Sequence, residues 1–247
     1  MSQTIYGINT LQAALQEEPE RIHKLYVIKG KRNRRIEDLV ELARSAGVPL
    51  LFQPREALDR LAGSDSHQGV VAAVAAAHFT DFDELIKKSL NLKESMLVAL
   101  DHVQDPHNLG AVIRSAEAAG ASGVIVPRHR SALPGSAAEK AAAGALWRIP
   151  LARVPNLPRA LETLKKSGFW VIGTTADEGE TPWNIDMSGN LVLVIGGEEK
   201  GVRPAVRSKC DFMASIPLKG STSSLNASVA AGIMLYEYIR QRSAASR

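Results

Sequence analysis

The feature that most constrains this chain of 247 residues is the run 96–100, MLVAL, and its repetition downstream. Five apolar residues without polar alternation fit a strand buried on both faces, and such strands belong to parallel sheets covered by helices. Comparable runs follow at 124–126, 151–154, 169–173, 191–195 and 212–218. Helical patterns lie between several of them: one from Asn108, read as an N-cap, to a stop at Gly120, one over 137–146, and one capped by Asn156. A long apolar helix begins at Leu225-Asn226. Strands alternating with helices predict a parallel α/β domain over residues 95–247.

The first third alternates in the same way but in shorter pieces. Spacing predicts helices over 8–16 (capped by Asn9 or Thr10), 34–46 and 55–61, and strands over 24–28, 49–52 and 69–76. Residues 1–76 therefore read as a small α/β domain. The more polar segment 77–94, with a short helix over 83–90, reads as a linker.

Composition narrows the function by exclusion. The single cysteine, Cys210, allows neither an intrachain disulfide nor a cysteine-based zinc site, and it is expected to be a small, partly buried residue. No metal is expected. No stretch is long and apolar enough to span a bilayer, and the opening MSQTIYGINTLQ lacks a secretory pattern, so a cytoplasmic protein is expected. The loop after the first strand of the larger domain carries no GxGxxG, and no GxxxxGK[ST] occurs, which removes the dinucleotide and P-loop readings. Net charge is only +4, but Lys29, Lys31, Arg32, Arg34 and Arg35 crowd into KGKRNRR, the kind of cluster that contacts nucleic-acid phosphates. His67, in the turn SHQG, is expected to be satisfied by backbone.

Three clusters sit at predicted strand ends, where open α/β sheets bind ligands. Asn108, Gly110 and Arg114 form NxGxxxR. Gly196, Glu198 and Gly201 form GxExxG. The third, Ser221 to Asn226 within IPLxGxxxSLNxSxAxxI, brings hydroxyls and an amide to a helix N-terminus, where backbone N–H groups favour electronegative atoms.

In that order the clusters resemble the three motifs of the SpoU-type RNA ribose 2′-O-methyltransferases of the SPOUT superfamily, over residues 96–242. The opening YGINTLQAAL, the HQGVVA strand and the basic loop are similar to the substrate-binding domain of members that methylate a guanosine in the peptidyl-transferase loop of 23S rRNA. The resemblance implies a parallel-sheet domain whose C-terminal segment forms a deep trefoil knot, preceded by an L30-like RNA-binding domain. It implies S-adenosylmethionine as cofactor, held at Thr174, Gly196, Gly197, Ile216, Leu218 and Leu225. It implies catalytic roles for Asn108, Arg114, Glu198, Ser224 and Asn226, with Arg114 acting on the ribose hydroxyl, Asn108 fixing Arg114 or the ribose, and Glu198 holding Arg114, binding substrate or organising the loop. It further implies 23S rRNA as partner and a homodimer whose site is completed across the interface. The same chemistry on tRNA, or a non-catalytic ribosome-assembly factor, are the alternatives. One departure stands out: Glu199 follows the motif-two glutamate where many members have glycine, and it is expected to pair with Lys200 or Arg203.

Overall fold

The computed structural model describes residues 2–30, 33–177, 179–198 and 201–245. They form two compact units, Met1–His78 with Leu133–Arg148, and Phe79–Ala132 with Ile149–Arg247. The boundary differs from the expected one in two ways. The segment 79–94 is no free linker: Thr80 bridges Ala152, and the helix α4 (Phe82–Leu90) buries Leu85 and Ile86 in the core of the second unit. The segment 133–148, expected within the larger domain, packs with the smaller one.

The first unit is built on a sheet ordered β1-β4-β2-β3, from Ser2–Tyr6, Ile22–Ile28, Leu50–Gln53 and Val70–Ala75 for β1 to β4. β4 pairs antiparallel to both β1 and β2, and β2 pairs parallel to β3. β1 has no counterpart in the expected strands. The helix α2 (Arg34–Ser45) shows why pattern sufficed there: Ile36, Leu39, Val40 and Ala43 recur at helical spacing and are all buried, and Asn33 caps Ile36 N–H at 3.0 Å. The helix α1 (Ile8–Glu17) has no such local cap. Its first N–H, on Ile8, donates to the Gln68 side chain at 2.9 Å, so neither Asn9 nor Thr10 caps it. The helix α3 (Arg55–Ala62) ends at Gly63 in the left-handed region, φ 62°.

His67 is fully buried. Its Nδ1 accepts from Gly69 N–H at 2.9 Å, so Nε2 carries the proton and donates to Asp59 at 2.9 Å. The expected backbone partner is there for Nδ1, while a side chain, Asp59, satisfies Nε2.

The alanine-rich helix expected over 137–146 breaks in two. The helix α6 (Ser136–Ala142) is followed by left-handed Ala143 and Gly144 and then a 3-10 turn, Ala145–Trp147. A Cβ on Gly144 would lie 2.7 Å from Ala13 Cβ and 3.0 Å from the Asn9 carbonyl, so close approach to α1 decides the break. Glu139 is buried there, accepting from Trp147 Nε1 at 3.0 Å, and burial pushes its carboxyl up to about 7.

The second unit carries a parallel six-stranded sheet ordered β10-β8-β9-β5-β6-β7. In chain order β5 to β10 are Met96–Asp101, Gly123–Pro127, Leu151–Val154, Trp170–Thr175, Leu191–Gly196 and Phe212–Ser215. Alternate residues feed opposite faces. Leu97, Ala99, Ile125, Val171, Val192 and Val194 pack in one cluster with α4, α7 (Leu157–Lys166) and the short α8 (Pro204–Arg207). The helix α5 (Pro106–Ala118) packs against the long C-terminal α9 (Ala227–Ala245), and α9 also meets β9. The chain goes outward from β5 to β7, then resumes on the other side at β8 and returns through β9 to lie beside β5. That reversal opens a crevice at the carboxyl ends of β5 and β9.

Candidate active site

The crevice is built from motifs far apart in sequence. The cap of α5 is Asp105, whose side chain accepts from His107 N–H at 3.0 Å, so Asn108 lies inside the helix and is not its N-cap. That leaves the Asn108 amide free for tertiary contacts. Its Nδ2 donates to Glu198 Oε1, and its Oδ1 accepts from Asn226 Nδ2 at 3.0 Å. Asn226 Oδ1 in turn accepts from Ser228 N–H at 2.9 Å and Ser228 Oγ at 2.6 Å, which makes Asn226 the N-terminal cap of α9. Three expected site residues, one from each motif, therefore form one hydrogen-bonded chain.

Arg114 is outside it. Six residues along a helix turn the side chain by ~600°, a third of a turn away from Asn108. Asn108 is buried and Arg114 is exposed; among the described residues no hydrogen bond or ion pair reaches Arg114. Among the described residues of this chain neither Asn108 nor Glu198 bonds Arg114; Asn108 bonds Glu198 instead, which leaves Asn108 for the ribose and Glu198 for the substrate or the loop.

Beside the chain of amides lies a cavity of about 400 Å³ at the carboxyl ends of β8, β9 and β10. Thr174, Gly196, Gly197, Ile216, Leu218 and Leu225 all line it, as do Glu198 and Ser224. Thr174 Oγ1 donates to the Val194 carbonyl at 3.1 Å, which fixes the β8 end of the wall.

The glycines are dictated by chain crossing. A Cβ on Gly196 would stand 2.1 Å from the Gly201 carbonyl carbon and 2.4 Å from Val202 N; one on Gly197 would stand 2.4 Å from the His102 carbonyl oxygen. Gly196→Ala must push backbone aside, a cost of ~1–3 kcal/mol for overpacking. Ligand affinity at the cavity is expected to fall by ~5- to 150-fold, as calorimetric titration would show; an unchanged affinity would mean that the loop shifts without cost.

A lock beneath this loop was not anticipated. Asp101, fully buried at the end of β5, accepts from Arg203 N–H at 2.8 Å, Arg203 Nε at 2.9 Å and Arg203 Nη2 at 2.6 Å. Its backbone carbonyl accepts from Gly197 N–H at 3.0 Å. Arg203 is thus engaged by Asp101; Glu199 and Lys200, of the expected pairing, lie outside the described residues. The available sequence signal was an acidic residue closing an apolar strand, and the partner lay 102 residues away.

Asp177 and Arg207 also line the cavity, 3.9 Å apart, and were not expected there. Cys210 is a packing residue, as expected: burial, with Asp211 beside it, pushes its thiol up to about 12. Among the described residues no group of His, Cys, Asp and Glu could hold a metal ion.

Lys29, Arg34 and Arg35 are exposed in the first unit. Arg34 and Arg35 open α2, where cations oppose the helix dipole, so local helix stability does not explain them. Lys31 and Arg32, of the same cluster, lie outside the described residues.

Comparison with known proteins identifies the family. Residues 95–236 match the SpoU rRNA Methylase family, and residues 4–80 match the RNA 2′-O ribose methyltransferase substrate binding family. The 23S rRNA (guanosine-2′-O-)-methyltransferase RlmB of Haemophilus influenzae is 43% identical over 98% of this chain and 99% of its own length. That of Escherichia coli K12 is 42% identical over 98% of this chain and 100% of its own. The crystal structure of the SpoU methyltransferase AviRb from Streptomyces viridochromogenes in complex with AdoMet superposes with a TM-score of 0.80 at 26% identity, covering 98% of this chain and 90% of that one. The A. aeolicus TrmH/SpoU tRNA modifying enzyme, at 28% identity and a TM-score of 0.58, covers 67% of this chain and 86% of that one. With both halves matched and the three motifs converging on one crevice, the chain belongs to the SpoU rRNA methylase family.

Proposed function

We propose that the protein transfers a methyl group from S-adenosylmethionine to the ribose 2′-hydroxyl of a guanosine in 23S rRNA. The observation that carries this is the convergence of all six expected cofactor positions on one cavity, with the Glu198–Asn108–Asn226 chain at its edge. Near-full-length identity above 40% to 23S rRNA (guanosine-2′-O-)-methyltransferases supports the substrate. The tRNA-modifying relative covers only two thirds of this chain, which favours rRNA over tRNA.

The cavity suits the cofactor. Its volume is within the ~300–1,000 Å³ of small-molecule sites. Ile195, Ile216, Leu218 and Leu225 offer apolar wall, and the glycines offer backbone. Asp177, Glu198 and Arg207 supply both signs of charge, as a ligand bearing ammonium, sulfonium and carboxylate groups requires. S-adenosylmethionine, when bound, supplies a methyl group already activated by a sulfonium charge.

The remaining work belongs to the chain. A neutral ribose hydroxyl must be held in line and its proton drawn off as charge develops on oxygen. Asn108 and Asn226, each held by a partner, present a rigid polar edge beside the cavity. Arg114 is the group assigned to the hydroxyl. A guanidinium stays protonated, so its role is to orient the oxygen and stabilise its developing charge.

Arg114 reaches a site through a second copy of the chain. Its exposed place on α5 and the shape of α9 both support a homodimer. One side of α9 buries Ala231, Met234, Leu235 and Tyr238, while Leu225, Val229, Ile233 and Tyr236, from its cap region onward, stay exposed; Val229 is 50% and Tyr236 57% accessible. A helix apolar on both sides is normally covered on both.

The C-terminal segment is proposed to be threaded as a trefoil knot. The chain runs from β10, at the sheet edge, back to α9 against α5 and β9. The first unit is proposed to be an L30-like RNA-binding domain, and the protein to act in the cytoplasm with its rRNA. No helix among the described residues is long and apolar enough to cross a membrane.

Mapping 2′-O-methyl groups in 23S rRNA and tRNA with and without the protein tests the function: one rRNA guanosine should lose its methyl group, and an unchanged rRNA map would refute the proposal. Neutralising Lys29, Lys31, Arg32, Arg34 and Arg35 to Gln should weaken rRNA binding and flatten the plot of log K against log salt by up to ~0.7–0.9 per lost phosphate contact. An unchanged slope would make the cluster a solvated loop.

A further inference from the structure

We propose that the turn after β6, Arg128-His129-Arg130, together with Arg153 of β7, is a second phosphate-binding element that holds the RNA strand beside the target ribose. This rests on the rRNA methyltransferase reading above. Arg128, His129 and Arg130 are all exposed, and the turn begins at the carboxyl end of β6. The sheet order places β6 next to β5 and two strands from β9, so the carboxyl ends of β6 and β9, from which the turn and the glycine loop start, are roughly 10 Å apart at the same edge of the sheet.

The charge there is uncompensated. No acidic residue occurs from 123 to 138 or from 149 to 161. Among the described residues, no ion pair to a carboxylate engages Arg128, Arg130 or Arg153. Arg153 lies behind the turn. Its Nη2 donates to the Arg128 carbonyl at 2.7 Å, its guanidinium stacks 5.5 Å from the Phe79 ring, and its buried Nε has no protein partner. Arg128 N–H donates to the Val154 carbonyl at 2.8 Å. The turn is therefore pinned from both sides. Arg130 sits at φ 57°, a left-handed conformation that costs a non-glycine residue ~1–2 kcal/mol. Cations gathered without anions, on a pinned backbone next to the reacting edge, match what a polyanion passing that edge would require.

The test uses Arg128→Gln/Arg130→Gln in the full chain, with binding to transcribed 23S rRNA measured across salt concentrations and methyl transfer measured separately. The slope of log K against log salt should fall by ~1.4 for two lost single-strand contacts. KM for RNA should rise several-fold, with kcat at saturating RNA and affinity for S-adenosylmethionine unchanged. Arg128→Lys/Arg130→Lys should restore most of the slope. Lys87→Gln/Lys166→Gln removes the same charge from the exposed C-terminal turns of α4 and α7, which lead to the opposite edge of the sheet, and should leave the slope as in wild type. A loop variant with the wild-type slope and KM, or a control variant that loses as much, would overturn the assignment. A wild-type protein that binds 23S rRNA but transfers no methyl group would instead overturn the functional reading, while the binding slopes still decide the loop.

Discussion

Arg114→Ala is expected to lower the rate of methyl transfer by ~10²–10³-fold, the usual loss when one group stabilising a developing oxyanion is removed. Affinity for 23S rRNA and for S-adenosylmethionine should stay close to wild type. Within its own chain Arg114 is exposed, lines no part of the cavity and bonds no other described residue, so its loss should leave the fold and the cofactor cavity intact. The same facts make a sharper experiment possible. If Arg114 serves the site of a second copy, mixing Arg114→Ala chains with Asn226→Ala chains creates dimers with one whole site. Half the dimers would be mixed, each with one of two sites intact, giving about one quarter of wild-type activity in a two-fold symmetric assembly. Delivery within one chain would give no recovery. Wild-type turnover by Arg114→Ala would remove the residue from the mechanism altogether.

Asp101→Ala should have the largest effect on stability. The carboxylate is fully buried and accepts three N–H bonds from Arg203, two of them in side-on contact with the guanidinium. Removing one partner of a buried ion pair costs ~3–5 kcal/mol. The lower end applies here, because the Arg203 side chain is 33% exposed and can regain water. About 3 kcal/mol corresponds to a fall in Tm of ~6–12 °C for a domain of this size. Cofactor affinity should fall with it, since Arg203 ties down the chain that crosses Gly196. A Tm within about 2 °C of wild type would show that the loop is held by its backbone crossing alone. Asp101→Asn discriminates further: it keeps the shape and one acceptor for the Arg203 N–H but turns an amide donor toward the guanidinium, so it should be destabilised without the cavity left by alanine.

Where one segment carries its own explanation, sequence and structure agree. The helix α2 was legible because four buried residues share one face and Asn33 caps it from within the segment. The runs at β5 and β9 were legible because continuous apolarity fits only strands covered on both faces. The glycine loop and the small-residue loop were visible as loops, and their cofactor role followed from resemblance. Segments whose conformation depends on distant chain were read less well. The α1 cap comes from Gln68, the break after α6 from contact with α1, and the extra strand β1 from pairing with β4, whose partners lie 65 to 73 residues on.

The candidate site divides along the same line. Sequence by itself offered the inventory: Asn108, Glu198, Ser224 and Asn226 stand in motifs readable in one dimension, and the six cavity positions came from the resemblance those motifs carry. Only the tertiary structure decided their arrangement. It took Asn108 from a presumed cap to the middle of a hydrogen-bonded chain between Glu198 and Asn226, set Asp101 under the glycine loop, and turned Arg114 away from the cavity of its own chain. The physical reason is that the hydrogen bonds of the site join pairs separated by 90 to 118 residues, and a helical turn of 100° per residue decides which of two motif neighbours faces the site.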